Sequence, residues 1–283
     1  MLFAIGFLIV MGSVIGGYVG AHGKLYALWQ PYEILIIVGA AIGAFIISNS
    51  AALMKDCITN LGGVVLGSKV DKKMFLDLLS LIYSILDKSR KEGMMSIEAD
   101  VDNPQSSGLF AQYPAIQMNH ALADYIADAF RLIASGNMQP HELDALLDAE
   151  IETRTQEILE PSHALQKMAD AMPGFGIVAA VLGIVITMSA LGGDPEELGQ
   201  HIAAALVGTF MGVLLGYGVF GPIAAKMEHI GNEEIKLYQA AKSAIVASVN
   251  GMPPQLAVEF GRKVLFVHGR PSFTELEQKV RGR

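Results

Sequence analysis

Four long stretches without charged side chains dominate the hydropathy pattern of the chain. They cover Met1–Gly23, Ile34–Met54, Met172–Gly193 and Leu198–Ala225. At about 1.5 Å per helical residue, each is long enough to cross a hydrocarbon core of about 30 Å. Because lipid offers no hydrogen-bond partners, a spanning segment must satisfy its own backbone as a helix. The pattern therefore predicts an all-α membrane protein with four transmembrane helices.

The last two stretches are joined by a short acidic turn and are predicted to form a hairpin. Pro173 lies at the start of the first of these helices and Pro222 near the end of the second. An antiparallel hairpin therefore places both prolines at the same membrane face. Gly208, Gly212 and Gly216 repeat every four residues, a spacing that lets another helix approach closely. These three glycines are predicted helix-packing positions.

The first stretch resembles a signal peptide only in its hydrophobicity. It has no basic residues at its start and no convincing cleavage site, and a second apolar stretch follows almost at once. We therefore expect both to be retained as transmembrane helices.

A large helical insertion is predicted between the second and third transmembrane helices. Asp71 can cap a helix whose apolar residues keep a helical period, and a turn-rich segment follows over Met94–Pro114. An amphipathic helix is predicted over Asn119–Ala134. Pro140 opens another helix, and Pro161 marks a further helical start that runs into the third span.

The tail after the fourth span is predicted to be helical as well. A continuation helix covers Lys226–Val249 and a short helix covers Gln255–Phe266. The predicted division of the chain is 1–54 for transmembrane helices 1 and 2, 55–170 for the insertion, 171–226 for transmembrane helices 3 and 4, and 227–283 for the tail.

Basic residues indicate the orientation. The loops Gly20–Glu33 and Gly192–Gln200, which lie on one side of the membrane, hold a single Lys or Arg, Lys24. The segments on the opposite side, Lys55–Ala171 and Lys226–Arg283, hold all the others. The positive-inside rule then places both termini and the insertion in the cytoplasm.

Composition narrows the possible functions. The formal net charge of −8 argues against nucleic-acid binding. Cys57 is the single cysteine, and no Cys/His cluster has metal-ligand spacing, so we expect no metal and no cofactor. The sequence Gly174–Ala179 matches a dinucleotide-binding pattern but lies inside an apolar span with no strand before it. Nothing in the chain indicates an enzyme.

Charged residues over Lys88–Asp102 allow two interpretations. They form either an ordinary solvated loop or a docking surface whose charges guide a partner into register.

Several motifs together resemble the MotA family of flagellar motor stators. One set lies in the insertion, from Lys88-Ser-Arg90 through Glu98 and Asn103-Pro104 to Tyr113-Pro114. The others are Pro173-Gly-Phe-Gly-Ile-Val-Ala-Ala180, Val207-Gly-Thr209-Phe and, in the tail, Ala257-Val-Glu-Phe-Gly-Arg-Lys263. The tail is similar to that of the longer enterobacterial members. The likeness covers nearly the whole chain.

The resemblance implies an assembly and its location. Such subunits form a ring of five around two copies of a single-span partner, MotB, in the inner membrane at the flagellar basal body. The partner supplies the ion-carrying aspartate, and ion flow drives torque on the rotor protein FliG. By the resemblance, Arg90 and Glu98 contact the rotor. The absence of a carboxylate within the last two spans agrees with a carrier on the partner.

The resemblance also assigns roles inside the membrane. Pro173 and Pro222 match positions that couple ion passage to conformational change, and each proline removes a helix hydrogen-bond donor. Thr209 matches a pore-facing threonine, although a hydroxyl bonded to its own helix is the simpler interpretation. Ala180 matches a position where sodium-driven relatives usually carry threonine, which favours protons.

Three alternatives compete with this hypothesis. The first is an energiser subunit of the ExbB/TolQ type, which usually has three spans. The second is a sodium-driven stator. The third, a transporter with its own substrate site, would need charged groups at mid-membrane, which the spans lack.

Overall fold

The computed structural model describes residues 2–68, 70–136, 138–189, 192 and 194–282. Within these ranges the regular structure is helical and contains no strand, which confirms the all-α prediction. The α-helices are α1 (Leu2–Gly20), α2 (Pro31–Ser48), α3 (Ala51–Leu66), α4 (Lys72–Glu92), α5 (Glu98–Asp102), α6 (Pro114–Gln117), α7 (His120–Ser135), α8 (Pro140–Ser189), α9 (Pro195–Leu215), α10 (Gly221–Val249), α11 (Pro254–Val264) and α12 (Phe273–Arg281). Turns of 3-10 helix cover Leu25–Leu28, Met94–Ile97 and Phe110–Gln112, and a π-helical turn covers Gly216–Phe220.

Two compact units make up the fold, and each is described by itself. The membrane unit comprises Met1–Gly67 and Leu159–Ile230. The extramembrane unit comprises Ser68–Ile158 and Gly231–Arg283. The division predicted from the sequence follows the ends of the apolar stretches instead, and it stays a prediction.

Four helical stretches among the described residues are long and apolar enough to cross a membrane. They are Phe3–Gly20, Leu25–Ser48, and parts of the helical runs Pro140–Ser189 and Pro195–Val249. Large apolar side chains point outward from them; Ile47, for example, is 89% exposed. Since lipid tails are as apolar as leucine, such exposure costs nothing in a bilayer. The four-helix prediction is confirmed, and the predicted end of the third span at residue 193 lies outside the described residues.

The second transmembrane helix ends earlier than hydropathy predicts. Its last residue is Ser48 rather than Met54, and α3 begins three residues later. The Asn49 side chain donates to a carbonyl in the last turn of α2 at 2.7 Å, and Ser50 Oγ accepts the Leu53 N–H at 3.2 Å. These two polar side chains close one helix and start the next, which an average over hydropathy does not register.

One helix of 50 residues, α8, carries the chain into the third span although two prolines lie inside it. The prediction of a new helix start at Pro161 is therefore wrong, and Pro173 lies within a helix rather than at the start of one. A proline removes one N–H donor and crowds the carbonyl four residues earlier. The bonds on both sides of each proline are kept, so the helix continues past both.

The core of the extramembrane unit forms around α4 and α7. Asp71 caps α4 by accepting the Met74 N–H at 2.7 Å, as predicted. One face of each helix is fully buried in the same core, including Leu78, Leu79, Ile82, Ile85, Leu122, Ile126 and Phe130. The turn-rich segment Met94–Pro114 folds into short helical turns against this core, as its proline and glycine content predicts.

The C-terminal tail packs on α4 through hydrogen bonds and ion pairs. Ser272 and Glu275 form a capping box at the start of α12, a helix that was not predicted from the sequence. Lys72 Nζ lies 2.6 Å from Glu275 Oε1, and this hydrogen bond is the main reason why the pKa of Glu275 falls to about 2. The buried Arg262 donates to the Pro271 carbonyl at 2.9 Å. The tail motif around Arg262 therefore holds the tail itself in place.

Candidate functional site

Helices α8 and α9 approach each other backbone to backbone in the membrane unit. A Cβ atom built on Gly212 would lie 2.7 Å from the Met172 carbonyl oxygen and 2.9 Å from Gly176 Cα. One built on Gly208 would lie 3.2 Å from Ala179 Cβ. No side chain fits at residue 212 unless the two backbones separate. The predicted packing stripe thus faces α8 of the same chain.

Two glycines on α8, which were not among the predicted packing positions, complete this contact. A Cβ on Gly176 would lie 2.9 Å from the Gly208 carbonyl oxygen, and one on Gly183 would lie 2.9 Å from Ala205 Cβ. Gly176 and Gly183 are seven residues apart, which places them on one face of a helix. That spacing is the signal that could have identified them.

The two predicted ion-path positions, Ala180 and Thr209, lie on this helix pair and are both half-buried. The Ala180 backbone nitrogen lies 3.5 Å from a Cβ built on Gly208. Thr187 Oγ1 donates to the carbonyl four residues earlier at 2.8 Å, the usual bond of a helical threonine. No partner of the Thr209 hydroxyl is found among the described residues. This hydroxyl can therefore contact a group outside the chain.

Pro173 meets Gly216 at one point of the α8–α9 pair. Because Pro173 has no N–H, the Ala169 carbonyl loses its helical donor. A Cβ on Gly216 would lie 2.6 Å from this carbonyl oxygen and 3.1 Å from Pro173 Cδ. The carbonyl therefore lies against the glycine backbone, where a Cα–H···O contact can replace part of the lost bond.

The π-helical turn begins at the same glycine and ends just before Pro222. The Gly221 N–H donates to the Gly216 carbonyl, five residues earlier. Pro222 cannot donate to the Gly218 carbonyl, and the wider turn accommodates the missing bond. The helical run continues to Val249, so Pro222 lies in its interior rather than near its end as hydropathy suggests. Both prolines thus act on one weakened segment of the helix pair.

Arg90 and Glu98, the predicted rotor-contacting residues, belong to the extramembrane unit and are exposed. Arg90 lies in the last turn of α4, and Glu98 is the first residue of α5. Within the described part of the chain, neither side chain has an ion pair or hydrogen bond. Arg90 borders an open cleft of about 400 Å³ whose other walls are Tyr83, Asp87, Lys91 and residues 253–255.

Asp100 holds the segment that connects these two residues. Asp100 Oδ2 lies 2.7 Å from Lys88 Nζ, and Asp100 Oδ1 accepts a hydrogen bond from the Ser107 hydroxyl at 2.5 Å. Ser107 Oγ in turn accepts the Leu109 N–H at 3.1 Å. Burial alone would raise the pKa of Asp100. The hydrogen bonds from Lys88 and Ser107 outweigh burial, so the pKa lies below its ordinary value of 3.8.

Metal-binding side chains do not cluster in the part of the chain that the structure describes. No group of three or more His, Cys, Asp or Glu side chains there could hold an ion. Cys57 is buried, and its thiol donates to the Pro161 carbonyl at 3.5 Å. A structural contact therefore accounts for this cysteine.

Comparison with known proteins connects both units to one family. The motility protein A N-terminal profile matches residues 4–93, and that of the MotA/TolQ/ExbB proton channel family matches residues 117–240. Motility protein A from Salmonella typhimurium is 45% identical over 281 residues, which is 99% of this chain and 95% of the relative. The chain belongs to the MotA family.

Solved structures agree with this membership at the level of the fold. A structure of C. jejuni MotAB has a TM-score of 0.74 at 17% identity and covers 93% of this chain and 95% of that one. The flagellar MotAB stator complex from Bacillus subtilis has a TM-score of 0.70 at 20% identity and covers 94% of each. The expectation of a flagellar stator subunit is confirmed. These relatives are channel and motility proteins, and the chain is a membrane protein like them.

Replacing Pro222 by Ala should stiffen the MotA-family helix pair. The new N–H can bond the Gly218 carbonyl, and proline in a helix interior costs about 3 kcal/mol relative to alanine. We expect slower amide exchange over residues 216–222 of the full-length protein in detergent, together with poor motility. Pro195→Ala is the control, because proline at the first turn of α9 removes no helical bond. Unchanged exchange in Pro222→Ala would contradict the assignment.

Replacing Asp100 by Asn should weaken its contacts with Lys88 and Ser107, which hold the chain around Arg90 and Glu98. A charge-assisted bond is lost, at a cost of about 1–3 kcal/mol, so the Leu109 amide should exchange faster. Because the folded pKa of Asp100 is lowered, its contribution is complete above the ordinary pKa and is lost as pH falls through the lowered one. The difference from wild type should therefore vanish in acid. A difference that persists there would rule out the ionised carboxylate as its cause.

Proposed function

We propose that this chain forms, with a MotB-like single-span partner, a proton channel that converts ion flow into torque on the flagellar rotor. Five copies surround two copies of the partner in the inner membrane. The observation that carries the proposal is the arrangement of the α8–α9 pair. There, the Thr209 hydroxyl, which has no partner among the described residues, and a weakened segment around Gly216 lie on the same two helices of a MotA-family chain.

The ion path is proposed to run along the face that carries Thr209 and Ala180. The last two apolar stretches contain no Asp, Glu, Lys or Arg, so α8 and α9 themselves present no charge there to a carrier from the partner. The Thr209 hydroxyl can donate to the partner's carboxylate. Ala180 offers no oxygen to coordinate sodium, which favours protons as the transported ion.

Conformational coupling is proposed to pass through Pro173 and Pro222. Each proline lacks a backbone N–H. Pro173 lies on α8 against Gly216, and Pro222 follows the π turn that begins at Gly216. A change of charge on the partner alters the force on α9 near Thr209, about two helical turns away from Gly216. The weakened segment bends more easily than a regular helix. The membrane field supplies about 2.3 kcal/mol per charge per 100 mV for this work.

The rotor surface is proposed to consist of Arg90 and Glu98, with FliG as the partner. Both side chains are exposed, and the Lys88–Asp100–Ser107 contacts hold the chain between them. Exposed charges of this kind control the rate and register of docking more than its affinity.

The proposed location follows from the basic residues. Both termini and the extramembrane unit lie in the cytoplasm, where the unit can reach the rotor at the basal body. The proposed role requires no catalysis and no cofactor in this chain.

The transported ion can be tested in a strain that lacks its own stators. We expect this chain and its MotB-like partner to restore swimming that stops with a protonophore and does not respond to sodium. Swimming that follows sodium would keep the stator function and overturn the inference from Ala180. A partner-bound complex in the membrane that restores no swimming would favour an ExbB/TolQ-type energiser.

The rotor surface can be tested by charge reversal. The double substitution Arg90→Glu, Glu98→Lys should reduce stall torque while leaving the membrane level unchanged, since each reversed contact at an exposed surface costs on the order of 1 kcal/mol. The matched control is Lys73→Glu, Glu152→Lys, which reverses two exposed charges of the same unit. Normal torque in the first variant with an unaltered rotor would count against direct docking.

A further inference from the structure

One carboxylate of this chain, which directly precedes the second apolar stretch, lies against the proposed ion path. Glu33 is the third residue of α2, which packs on α9. A Cβ built on Gly208 would lie 3.5 Å from Glu33 Cγ and 3.5 Å from the Ala180 nitrogen. The Glu33 side chain therefore reaches the place where Ala180 and the residue before Thr209 meet.

This carboxylate has an oxygen with no visible donor. Glu33 Oε2 is buried, and none of the described residues donates a hydrogen bond to it. The helices packed around it carry no charge to compensate an anion: α8 from Met172 and α9 from Leu198 contain no Asp, Glu, Lys or Arg. Their hydrogen-bonding side chains are Thr187, Ser189, Gln200, His201 and Thr209. A buried polar oxygen without a hydrogen-bond partner is costly in such surroundings.

The contact between Glu33 and Gly208 is also far from the acidic turn that joins α8 to α9. Gly208 lies thirteen residues after Pro195, which corresponds to about 20 Å along α9. The acidic turn that begins α9 is therefore remote from Glu33. An ionisable side chain that contacts the interior of a membrane helix is a candidate functional site.

We propose that Glu33 is a proton-binding carboxyl on the ion path, supplied by this chain in addition to the partner's aspartate. The proposal rests on the proposed function. A hydronium ion gives its proton to the Glu33 carboxylate, an O–H bond forms, and water is released. The proton then passes to the next acceptor on the path, and the carboxylate is restored. Glu33 thus serves as a relay, and the carrier on the partner keeps its role.

The test measures proton flux through the full complex with its partner in proteoliposomes under an imposed potential. Glu33→Gln keeps the size of the side chain but cannot bind a proton, so flux should fall by at least about tenfold, as expected for loss of a proton-transfer group. Glu33→Asp should recover much of it. Glu196→Gln, at an exposed position in the first turn of α9, is the matched control and should conduct normally.

The outcomes separate this proposal from the function on which it rests. A wild-type complex that conducts no protons contradicts both. A conducting wild type with equal flux in Glu33→Gln overturns the relay alone. Equal loss in Glu33→Gln and Glu33→Asp also overturns it, because it shows that the shape of the side chain matters rather than its proton.

Chemical labelling decides the matter if Glu33→Gln does not accumulate in the membrane. Dicyclohexylcarbodiimide adds to protonated carboxyl groups in apolar surroundings and leaves a stable N-acylurea, with no further reactant. We expect mass spectrometry of the wild-type complex to find this adduct at Glu33 and not at the exposed Glu196. An unlabelled Glu33 would overturn the proposal.

Discussion

The close approach of the α8 and α9 backbones is the constraint on which the membrane unit depends. In lipid, helices gain nothing from burying apolar side chains, so contact between backbones must supply the attraction. Gly176, Gly208 and Gly212 allow this contact, because a Cβ atom at any of them would lie 3.2 Å or less from the opposite helix. The same contact brings Ala180 beside Gly208 and Pro173 beside Gly216. The proposed path and the proposed hinge are therefore two consequences of one packing arrangement.

Much of the fold follows from the sequence, because the requirements of lipid leave few choices. The four spans and their helical state could be predicted from length and charge alone. Details that depend on single hydrogen bonds could not: Asn49 and Ser50 end α2 early, and Pro161 fails to end α8. The helix α12 was missed since it is short and polar, and its stability comes from tertiary contacts such as Lys72 with Glu275.

The site was predictable only in part, for a similar reason. Spacing along one helix identifies Gly208, Gly212 and Gly216, because a repeat of four residues has a fixed geometric meaning. Neither the Thr209 hydroxyl nor Glu33 Oε2 has a partner in the part of the chain that the structure describes. Their surroundings depend on what neighbouring helices bring close, and no local sequence pattern records this. Glu33 also stands at the edge of an apolar stretch, where a glutamate ordinarily marks the end of a span.

In the extramembrane unit, pairing distinguishes charges that hold the fold from charges that are available to a partner. Lys88 is engaged by Asp100, Lys91 by Asp87 and Arg262 by Glu259, so each is already committed within the chain. Arg90 and Glu98 stand among these pairs, yet neither has a partner within the described residues. An ion pair costs side-chain entropy and returns little at a surface, so exposed charges that stay unpaired amid paired ones are free to act on another molecule. This contrast supports the docking interpretation of the Lys88–Asp102 segment over that of an ordinary solvated loop.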